Sequence, residues 1–551
     1  MTEFADLCLV SGRVFDGATL TASTAVAVRD GRIVAIGDDD GVLTWRGPET
    51  RVLDAAGGAI LPGFVDAHVH AAFAGVERLS CDLTPARSVD ETFELIRAAA
   101  ETAAGAAAPG DGSIDAAAWV TGGGWSHELF PEPTRHQLDA IVADRPVALS
   151  DAGHHTLWAN TRALELAGIT RDTPQPHNGH IHVDEHGEPT GYLNESAAEL
   201  VGRVIPPSTD AEILAGLQNA QEFLWSLGVT GWHEAILGEY NGKADCTLAY
   251  LEGIAGGSLR SAVSGALWVP QGTTEVQVPG LIADFERRRA ENAAAGFDTR
   301  TVKAMVDGVP HGETAALLEP YCSHHGSGEL HLDEAALRAL VLQADSAGFA
   351  LHLHIMGDRG IRVALDAVEA ARVANGPGPR HHFAHLSMIH PDDALRFGPL
   401  NITANMQALW AIPDPHVVPM IGEERMRRGY PFRTLAEGGA DLAMGSDWPV
   451  SPADPWAAIH VAVNRSFPLI PGAEAPLDAG QALTLTEALA AYTSGSSSLV
   501  LGAPGRIRIG ERADLVISTE NPFDVPAARL YEIAAAATVV DGTLVYERPR
   551  P

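Results

Sequence analysis

The sequence predicts an α/β protein: a (β/α)8 TIM-like barrel, a small β-sandwich domain formed by both termini, and a large insertion after the first barrel strand. Three observations indicate this fold. Apolar, strand-like runs alternate with amphipathic helical patterns through the middle of the 551-residue chain. Eight such runs can be distinguished, as a closed parallel barrel requires. Both ends of the chain show short alternating strands separated by Gly and Asp turns instead.

The two ends of the chain read as β-hairpins. Residues 1–59 contain DLCLVSGRVFDG, AVAVRDGRIVAIG and RVLDAAGGAILPG. Residues 500–551 repeat this style in GRIRIGERADLVISTE and AAATVVDGTLVYE. Because these β-rich ends flank an α/β middle, we expect them to form one sandwich domain and residues 60–499 to form the barrel.

Eight apolar runs supply the predicted barrel strands. In chain order they are GAILPGFVDAHVH, GVTGWHEA, LRSAVSGALWV, TVKAMVDG, FALHLHIMGD, RHHFAHL, NITANMQA and DLAMGSDWPV. Helical patterns such as DEAALRALVLQADSAG lie between several of them. The gap after the first run is far longer than one crossover, so residues 75–215 are expected to form an inserted subdomain.

Composition restricts the class of protein and its partners. The 71 acidic and 37 basic residues leave a formal net charge of −34, which repels phosphate backbones and argues against a nucleic-acid partner. No apolar run reaches the roughly 18 residues that a membrane span requires. The N-terminus carries acidic residues where a signal peptide would be basic. The four cysteines show no CxxC spacing, which favours a reducing, cytoplasmic location and argues against a cysteine zinc site.

Side chains that bind metals recur at the ends of the predicted barrel strands. His68 and His70 in GFVDAHVH are two residues apart, so in a strand both face the same side. The later runs add further candidates at the same end of the barrel: Lys303, His352, His354, His382, His385 and Asp447. Barrel enzymes build their sites at the C-terminal ends of the strands. The pattern therefore predicts a metal site at this mouth.

The chain contains only two lysines, Lys243 and Lys303. Lys243 lies in the polar stretch EYNGKADC, where a solvated side chain is expected. Lys303 lies inside an apolar run, where a buried ammonium ion would be costly. A guanidinium group stays protonated, whereas a buried amine can lose its proton. Lys303 is therefore predicted to serve a purpose that only an amine can fulfil.

These residues resemble the amidohydrolase superfamily, and specifically its YtcJ-like branch, which includes N-substituted formamide deformylases. The resemblance covers nearly the whole chain and depends on LPGFVDAHVH, VKAMVDG, TAALLEPY, HIMGDRG, FAHL, GSDWPV and GRIRIGERADLVI. GEPTGYLNE and WANTRAL also look like this branch. The loop DGVPHGETAALLEPY departs from the DGS type that is usual there, which is where a narrow substrate preference could arise.

The resemblance implies a binuclear metal centre. His68 and His70 would bind the more buried ion, carboxylated Lys303 would bridge the two ions, and His354 and His385 would bind the second ion. His354 matches better than His352 because it directly precedes IMGD. His385 matches better than His381 and His382, which are expected to pack or to support the ligands. Two divalent ions, most simply Zn2+, suit these ligands.

The implied reaction is hydrolysis of a non-peptide or small amide C–N bond, in an N-substituted formamide or an N-acyl amine. In that family mechanism a metal-bridged hydroxide attacks the carbonyl while Asp447, which also touches the buried ion, acts as general base. No Ser or Cys nucleophile and no G-x-S-x-G elbow is needed or evident.

Further residues are predicted around the mouth. Candidate substrate contacts are Trp125, His155, His233, Glu234 and His311, each with ordinary packing or hydrogen bonding as the alternative. Asp66 is expected to support a ligating imidazole. The roles of the insertion, His324 and His325 are not readable from the sequence. The partner is expected to be a small-molecule amide, with a homodimer as the default assembly.

Two other functions stay open at this point. A deaminase of an aromatic or heterocyclic amine could use the same barrel, but such relatives place a glutamate after the fifth-strand histidine, where HIMGDRG offers Asp358. An inactive binding homologue is the remaining alternative. The intact set of predicted ligands argues against it, because loss of activity usually removes ligands first.

Overall fold

The computed structural model describes residues 4–106, 119–154, 156–176, 179–240, 242–323 and 326–549. Within these ranges the strands fall into four sheets. In chain order they are β1 (Ala5–Val10), β2 (Arg13–Val14), β3 (Ala25–Arg29), β4 (Arg32–Gly37), β5 (Arg46–Asp54), β6 (Ala59–Pro62), β7 (Phe64–Val69), β8 (Cys81–Asp82), β9 (Val120–Trp125), β10 (Val147–Asp151), β11 (Thr156–Ala159), β12 (Gly179–Val183), β13 (Pro189–Glu195), β14 (Val229–Leu237), β15 (Ala262–Trp268), β16 (Asp298–Met305), β17 (Ala350–Ile355), β18 (His381–His385), β19 (Ile402–Met406), β20 (Leu442–Met444), β21 (Leu515–Ser518), β22 (Ala535–Val540) and β23 (Thr543–Glu547).

The α-helices of the described ranges mostly follow the strands that they cover. They are α1 (Asp39–Leu43), α2 (Ala71–Leu79), α3 (Val89–Ala106), α4 (Arg135–Asp139), α5 (Thr161–Leu166), α6 (Ala198–Gly202), α7 (Asp210–Ser226), α8 (Thr247–Ala255), α9 (Val278–Ala294), α10 (Glu334–Ser346), α11 (Asp358–Asn375), α12 (Pro391–Ala394), α13 (Val418–Ile421), α14 (Glu423–Arg427), α15 (Phe432–Glu437), α16 (Pro455–Asn464) and α17 (Leu485–Ala490). None of these described helices combines the length and the apolar character needed to cross a membrane.

The central sheet has eight parallel strands in the order β20-β19-β18-β17-β16-β15-β14-β7. Each of the eight runs predicted from the sequence contributes one of them, so the predicted α/β barrel is confirmed. Helices such as α10 and α11 bury their apolar faces against the outside of this sheet. The parallel arrangement places the C-terminal ends of all eight strands at one mouth.

The first predicted strand is divided between two sheets. Residues Ala59–Pro62 form β6, which pairs with β21 outside the barrel, and Phe64–Val69 form β7, which pairs with β14 inside it. Gly63 separates them, and a Cβ atom at this position would lie 2.1 Å from Thr230 Oγ1. Only glycine therefore fits where the chain passes from one sheet to the other.

The barrel closes almost completely between β7 and the segment after β20. The backbone N–H of Asp447 donates to the carbonyl of His68 at 2.7 Å. Asn405 Nδ2 donates to the carbonyl of Ala67 at 2.9 Å. A Cβ atom on Gly445 would approach the backbone nitrogen of His68 to 2.4 Å, so glycine is required for this close approach. Closure thus brings the two ends of the barrel sheet together at the predicted site.

The remaining sheets lie outside the barrel. Strands β1, β3, β4 and β5 form one sheet, and β2, β6, β21, β22 and β23 form another that combines both ends of the chain. Apolar residues of both sheets, among them Leu9, Val28, Ile60 and Val539, belong to one buried cluster. Strands β8–β13 form a separate six-stranded sheet, and in the sequence they come between the first two barrel strands, β7 and β14. The domain limits given in the sequence analysis stay a prediction.

Candidate metal centre

The predicted ligands converge at the C-terminal mouth of the barrel. They lie at or just beyond the ends of the first, fourth, fifth, sixth and eighth barrel strands. Five of the six predicted ligands are buried: His68, Lys303, His354, His385 and Asp447. His70, which directly precedes helix α2, keeps 13% of its side chain exposed and lies nearest the solvent.

Asp447 is the centre of this group. Its Oδ1 atom lies 3.2 Å from His68 Nε2 and 3.2 Å from His70 Nε2, while Oδ2 lies 3.9 Å from His385 Nδ1. Burial by itself would raise the pKa of Asp447, but the surrounding imidazoles hold it well below its usual range. Asp447 is therefore an anion at neutral pH, at the point where a positive charge would be best stabilised.

Lys303 supplies an amine inside the barrel. Its side chain is 1% exposed, and Nζ lies 3.5 Å from His68 Nε2. Burial lowers the pKa of Lys303 to about 7, although Asp447 opposes this shift. The pairing of β16 with β17 sets Lys303 opposite His352 and Met305 opposite His354. A substantial neutral fraction of this amine is thus available at physiological pH.

His354 and His385 form the other half of the group. Their ring centroids are 4.4 Å apart, and Trp410 stacks on His385 at 5.1 Å with an interplanar angle of 9°. Burial lowers the pKa of both imidazoles well below the usual value, which keeps them neutral. Within the described part of the chain, His354 Nδ1 and both ring nitrogens of His385 are buried without a hydrogen-bond partner.

These unpaired nitrogens fit a metal site. Buried polar atoms in proteins almost always have partners, so several orphaned imidazole nitrogens in one place need an explanation. Ligand atoms of His68, His385 and Asp447 also lie within 4.8 Å of one another. Neutral imidazoles and an ionised carboxylate are the donors that zinc and similar divalent ions prefer.

The backbone is strained at two of these ligands. His385 and Asp447 both have positive φ angles, 75° and 60°, and Leu386 follows with 55°. Non-glycine residues seldom occupy this region, and they persist there where the surrounding structure over-determines the conformation. Such conformations cluster at functional sites, and here they aim both side chains into the mouth.

Buried carboxylates hold the ligands in place. Asp66 Oδ1 accepts from the backbone N–H groups of His68 at 3.1 Å and Ser446 at 3.0 Å. Asp66 therefore joins β7 to the loop after β20 through backbone hydrogen bonds. The sequence had predicted instead that Asp66 would support a ligand imidazole. Burial raises the pKa of Asp66 to about 7.

Asp307 fixes the loops around His354. Its carboxylate accepts from the backbone N–H groups of Ala316, Met356 and Gly357 at 2.8–2.9 Å. These bonds tie the loop after Lys303 to the loop after His354. Two of the ligand-bearing strand ends are thus held by one buried carboxylate.

The residues predicted to contact substrate differ in burial and in position relative to the mouth. Trp125 is buried in the core of the six-stranded sheet, and its Nε1 donates to the carbonyl of Leu149. His311 is exposed on a loop, where Nε2 lies 2.8 Å from Asp414 Oδ2. His155 lies outside the described residues, as do His324 and His325. Substrate contact by these residues stays a prediction.

His233 and Glu234 lie deeper than the mouth. Both are fully buried, and His233 Nδ1 lies 2.8 Å from Ser264 Oγ. Glu234 Oε2 accepts from Tyr250 Oη at 2.7 Å and from the backbone N–H of Ala72 at 3.2 Å. Glu234 Oε1 lies 3.8 Å from His70 Nδ1, which suits a residue that orients a ligand imidazole.

Sequence reasoning missed two features near the site. His352, set aside there in favour of His354, contacts His68, and its ring lies with those of His233 and His382 inside the barrel. The expectation that Lys243 is solvated was wrong. Lys243 is half-buried with Nζ 4.8 Å from the centre of the Phe73 ring, and Phe73 in turn lies almost parallel to His70. Burial lowers the pKa of Lys243, which Glu77 and Glu234 oppose.

Comparison with known proteins identifies the family of the chain. The amidohydrolase family model matches residues 51–546. The chain is 29% identical over 532 residues to "Putative amidohydrolase YtcJ" of Bacillus subtilis. This alignment covers 95% of this chain and 96% of that protein. It is 28% identical over 570 residues to the N-substituted formamide deformylase of Arthrobacter pascens, in an alignment that covers 100% of this chain and 99% of that protein.

A solved structure of a metal-dependent hydrolase also matches the chain. The uncharacterized metal-dependent hydrolase of Pyrococcus horikoshii matches with a TM-score of 0.71 and 25% identity, covering 95% of this chain and 99% of that one. Together with the site geometry, these similarities show that the chain belongs to the amidohydrolase family of metal-dependent hydrolases that act on C–N bonds.

Proposed function

We propose that this protein hydrolyses a small, non-peptide amide, with N-substituted formamides and N-acyl amines as the substrate class. The observation that carries the proposal is the convergence of three kinds of group at one barrel mouth: neutral imidazoles, an ionised carboxylate and a buried amine. The full-length similarity to a formamide deformylase supports the same class of substrate.

Two divalent ions, with zinc the best fit to the donors, would be held by these residues. His68, His70 and Asp447 would hold one ion, and His354 and His385 the other, with a carboxylated Lys303 between them. Bound ions of this kind polarise a carbonyl group and lower the pKa of water. The neutral state of the imidazoles follows from their burial, so no proton has to be displaced from them for binding.

Carboxylation of Lys303 accounts for a lysine in this position. The neutral Nζ atom attacks the carbon of CO2, so an N–C bond forms while one C=O π bond breaks and its electron pair moves to oxygen. One amine proton leaves to solvent, and no redox change occurs. The product carries a negative charge on two oxygens and suits a position beside His68, 3.5 Å away. An arginine could not react in this way, because its guanidinium group stays protonated.

Asp447 is proposed to move the proton. Its low pKa keeps Oδ1 and Oδ2 ionised, so the carboxylate accepts a proton from the attacking water. The same carboxyl group then donates that proton to the leaving nitrogen, which departs as a neutral amine. His68 Nε2 and His70 Nε2 each lie 3.2 Å from Oδ1, so the carboxylate lies beside the position of the ion that these two imidazoles would bind.

Metal analysis combined with a substrate screen tests this function. We expect two zinc equivalents per chain, and release of an amine together with formate or another carboxylate from N-substituted formamides and N-acyl amines. Amino-heterocycles are the third arm of the screen. Ammonia released from them without a carboxylate product would contradict the proposal and favour a deaminase. Asp358 provides no support for that alternative, since its Oδ1 accepts from the backbone N–H of Leu318 at 2.8 Å.

The variant Lys303→Arg tests the carbamate. We expect it to lose at least one zinc equivalent and to reduce turnover by at least about 100-fold, because the bridging anion cannot form. Protein equilibrated with 13C-bicarbonate should show a carbamate carbon resonance that disappears in this variant. Lys243→Arg, which changes the only other lysine of the chain, should keep that resonance. Full activity of Lys303→Arg would disprove the carbamate.

A further inference from the structure

A cluster of imidazoles fills the barrel below the ligand group. His68 Nδ1 lies 3.0 Å from His352 Nε2, and the two rings meet edge to face with centroids 4.6 Å apart. His382 and His233 lie next to His352, with centroids 4.2 Å and 5.4 Å from its ring. Barrel interiors are ordinarily filled by branched aliphatic side chains, so this choice of residues needs a reason.

The contact between His68 and His352 determines which nitrogen of His68 can bind a metal ion. His68 Nε2 faces the ligand group, 3.2 Å from Asp447 Oδ1 and 3.5 Å from Lys303 Nζ. A ligating nitrogen must be unprotonated, so the ring proton has to reside on Nδ1. His352 Nε2 is positioned to accept that proton in a hydrogen bond, which stabilises this tautomer of His68 and the orientation of its ring.

His352 is itself held in place. The ring of His382 packs against it, and Asn405 Nδ2 donates to His382 Nδ1 at 3.1 Å. The same amide group donates to the carbonyl of Ala67, the residue before His68. One asparagine therefore braces both the backbone beside His68 and the ring that packs on His352.

A third metal ion is the competing explanation. Ligand atoms of His233, His352 and His382 lie within 4.8 Å of one another. Three imidazoles supply no negative charge to compensate a divalent ion in the buried interior. Each ring also already bonds another group, namely Ser264, His68 or Asn405. His233 Nε2 and His352 Nδ1 have no hydrogen-bond partner among the described residues, so the number of metal ions bound by the parent protein decides between the two explanations.

We propose that His352 is a positioning residue for the metal centre, which accepts the Nδ1 proton of His68 and so presents the Nε2 lone pair of His68 to the metal. The inference rests on the proposed metal centre and on no feature of the substrate. His352 lies two residues before the predicted ligand His354 on β17, and its hydrogen bond to His68 lies inside the barrel.

Variants that differ only in the acceptor test this role. His352→Phe and His352→Leu remove the acceptor, and we expect each to weaken zinc binding about 10- to 100-fold. His352→Gln keeps an amide oxygen within reach of His68 Nδ1, and its affinity should stay within about threefold of the parent by the same reasoning. Zinc affinity is measured by competition with a chromogenic chelator, and the visible absorption spectrum of Co2+-loaded protein reports the ligand geometry.

His460→Phe is the matched control. His460 is equally buried but lies in α16 against Phe467 and Tyr531, away from the metal centre. It should bind zinc like the parent, with a similar circular dichroism spectrum. Unchanged zinc affinity in His352→Phe or His352→Leu would overturn the proposal, as would an equal loss in His352→Gln. A third zinc equivalent in the parent, lost in these variants, would overturn it in favour of a metal site. A parent that binds no metal would instead contradict the proposed function.

Discussion

At the scale of single residues, both lysines of the chain lie close to the metal centre. Lys303 contacts His68 directly, whereas Lys243 is separated from His70 by the Phe73 ring. The neighbouring residues in the sequence made Lys243 look like an ordinary surface lysine. Its Nζ atom lies over the Phe73 ring, and that ring stacks on His70, the predicted ligand nearest the solvent. We therefore expect Lys243 to influence what enters the mouth.

Lys243→Met is expected to lower kcat/KM about tenfold, which corresponds to roughly 1.4 kcal/mol. The reason is the loss of a charge held against an aromatic ring beside the site. Zinc content should not change, because Lys243 contacts none of the predicted ligands. Steady-state kinetics on the best substrate of the screen measure the effect, and Lys243→Arg, which keeps the charge, should recover part of it. Unchanged kinetics in Lys243→Met would show that the charge has no influence on turnover.

At the scale of elements, the loops after the barrel strands carry the site, and buried carboxylates hold them. Asp66 joins β7 to the loop after β20, and Asp307 joins the loops after β16 and β17. The helices behind these loops depend on capping. Thr484 and Glu487 form a capping box at the start of α17, and both carboxylate oxygens of Glu487 also accept from Arg433 of α15.

The Glu487–Arg433 pair leads to a prediction of pH dependence. The hydrogen bonds from Arg433 lower the pKa of Glu487 to about 2, below the 4.5 of an ordinary glutamate. A depressed carboxyl pKa stabilises the folded state above pH 4.5, and this contribution disappears as the pH falls towards 2. Because the pair is partly exposed, Glu487→Gln should lower the free energy of unfolding by only about 0.5 kcal/mol at pH 7.

Urea denaturation at pH 7, 5, 4 and 3 measures this difference between parent and variant. It should stay constant from pH 7 to 5 and shrink below that. Glu474→Gln, a change at an exposed residue, should show no difference at any pH. A difference that grows on acidification would contradict the assigned hydrogen bonds.

At the scale of the whole molecule, the two ends of the chain share one sheet. Strand β21 lies between β6 and β22, so residues from the C-terminus complete a sheet begun near the N-terminus. Thr538 Oγ1 on β22 also donates to the carbonyl of Trp225 at the end of α7, at 2.7 Å. The C-terminal strands are therefore part of the support for the barrel helices.

Deleting residues 515–551 should prevent the protein from accumulating in soluble form. The deletion uncovers the apolar residues of β6, including Ile60 and Leu61, and leaves an unpaired strand edge. The soluble fraction and size-exclusion chromatography measure the outcome, and deletion of residues 549–551 alone serves as the control. A soluble, zinc-binding product of the longer deletion would show that the barrel does not need this sheet.

The sequence by itself determined the barrel and the candidate ligands. Period-two alternation and the C-terminal position of the candidate side chains on apolar runs predicted one shared mouth, because a parallel barrel places all such ends together. The choice of His354 over His352 and of His385 over His382 came from the resemblance to the amidohydrolase family. These are local properties, and each can be read from a few consecutive residues.

Only the tertiary structure decided how those residues are connected. The bond of His68 to His352 spans 284 positions of the chain, and the approach of Lys243 to Phe73 depends on how a loop folds over α2. Such contacts are set by closure of the barrel and by the register between strands, which no single strand encodes. For the same reason, the division of the first predicted strand between two sheets became visible only when its partners, β14 and β21, were in place.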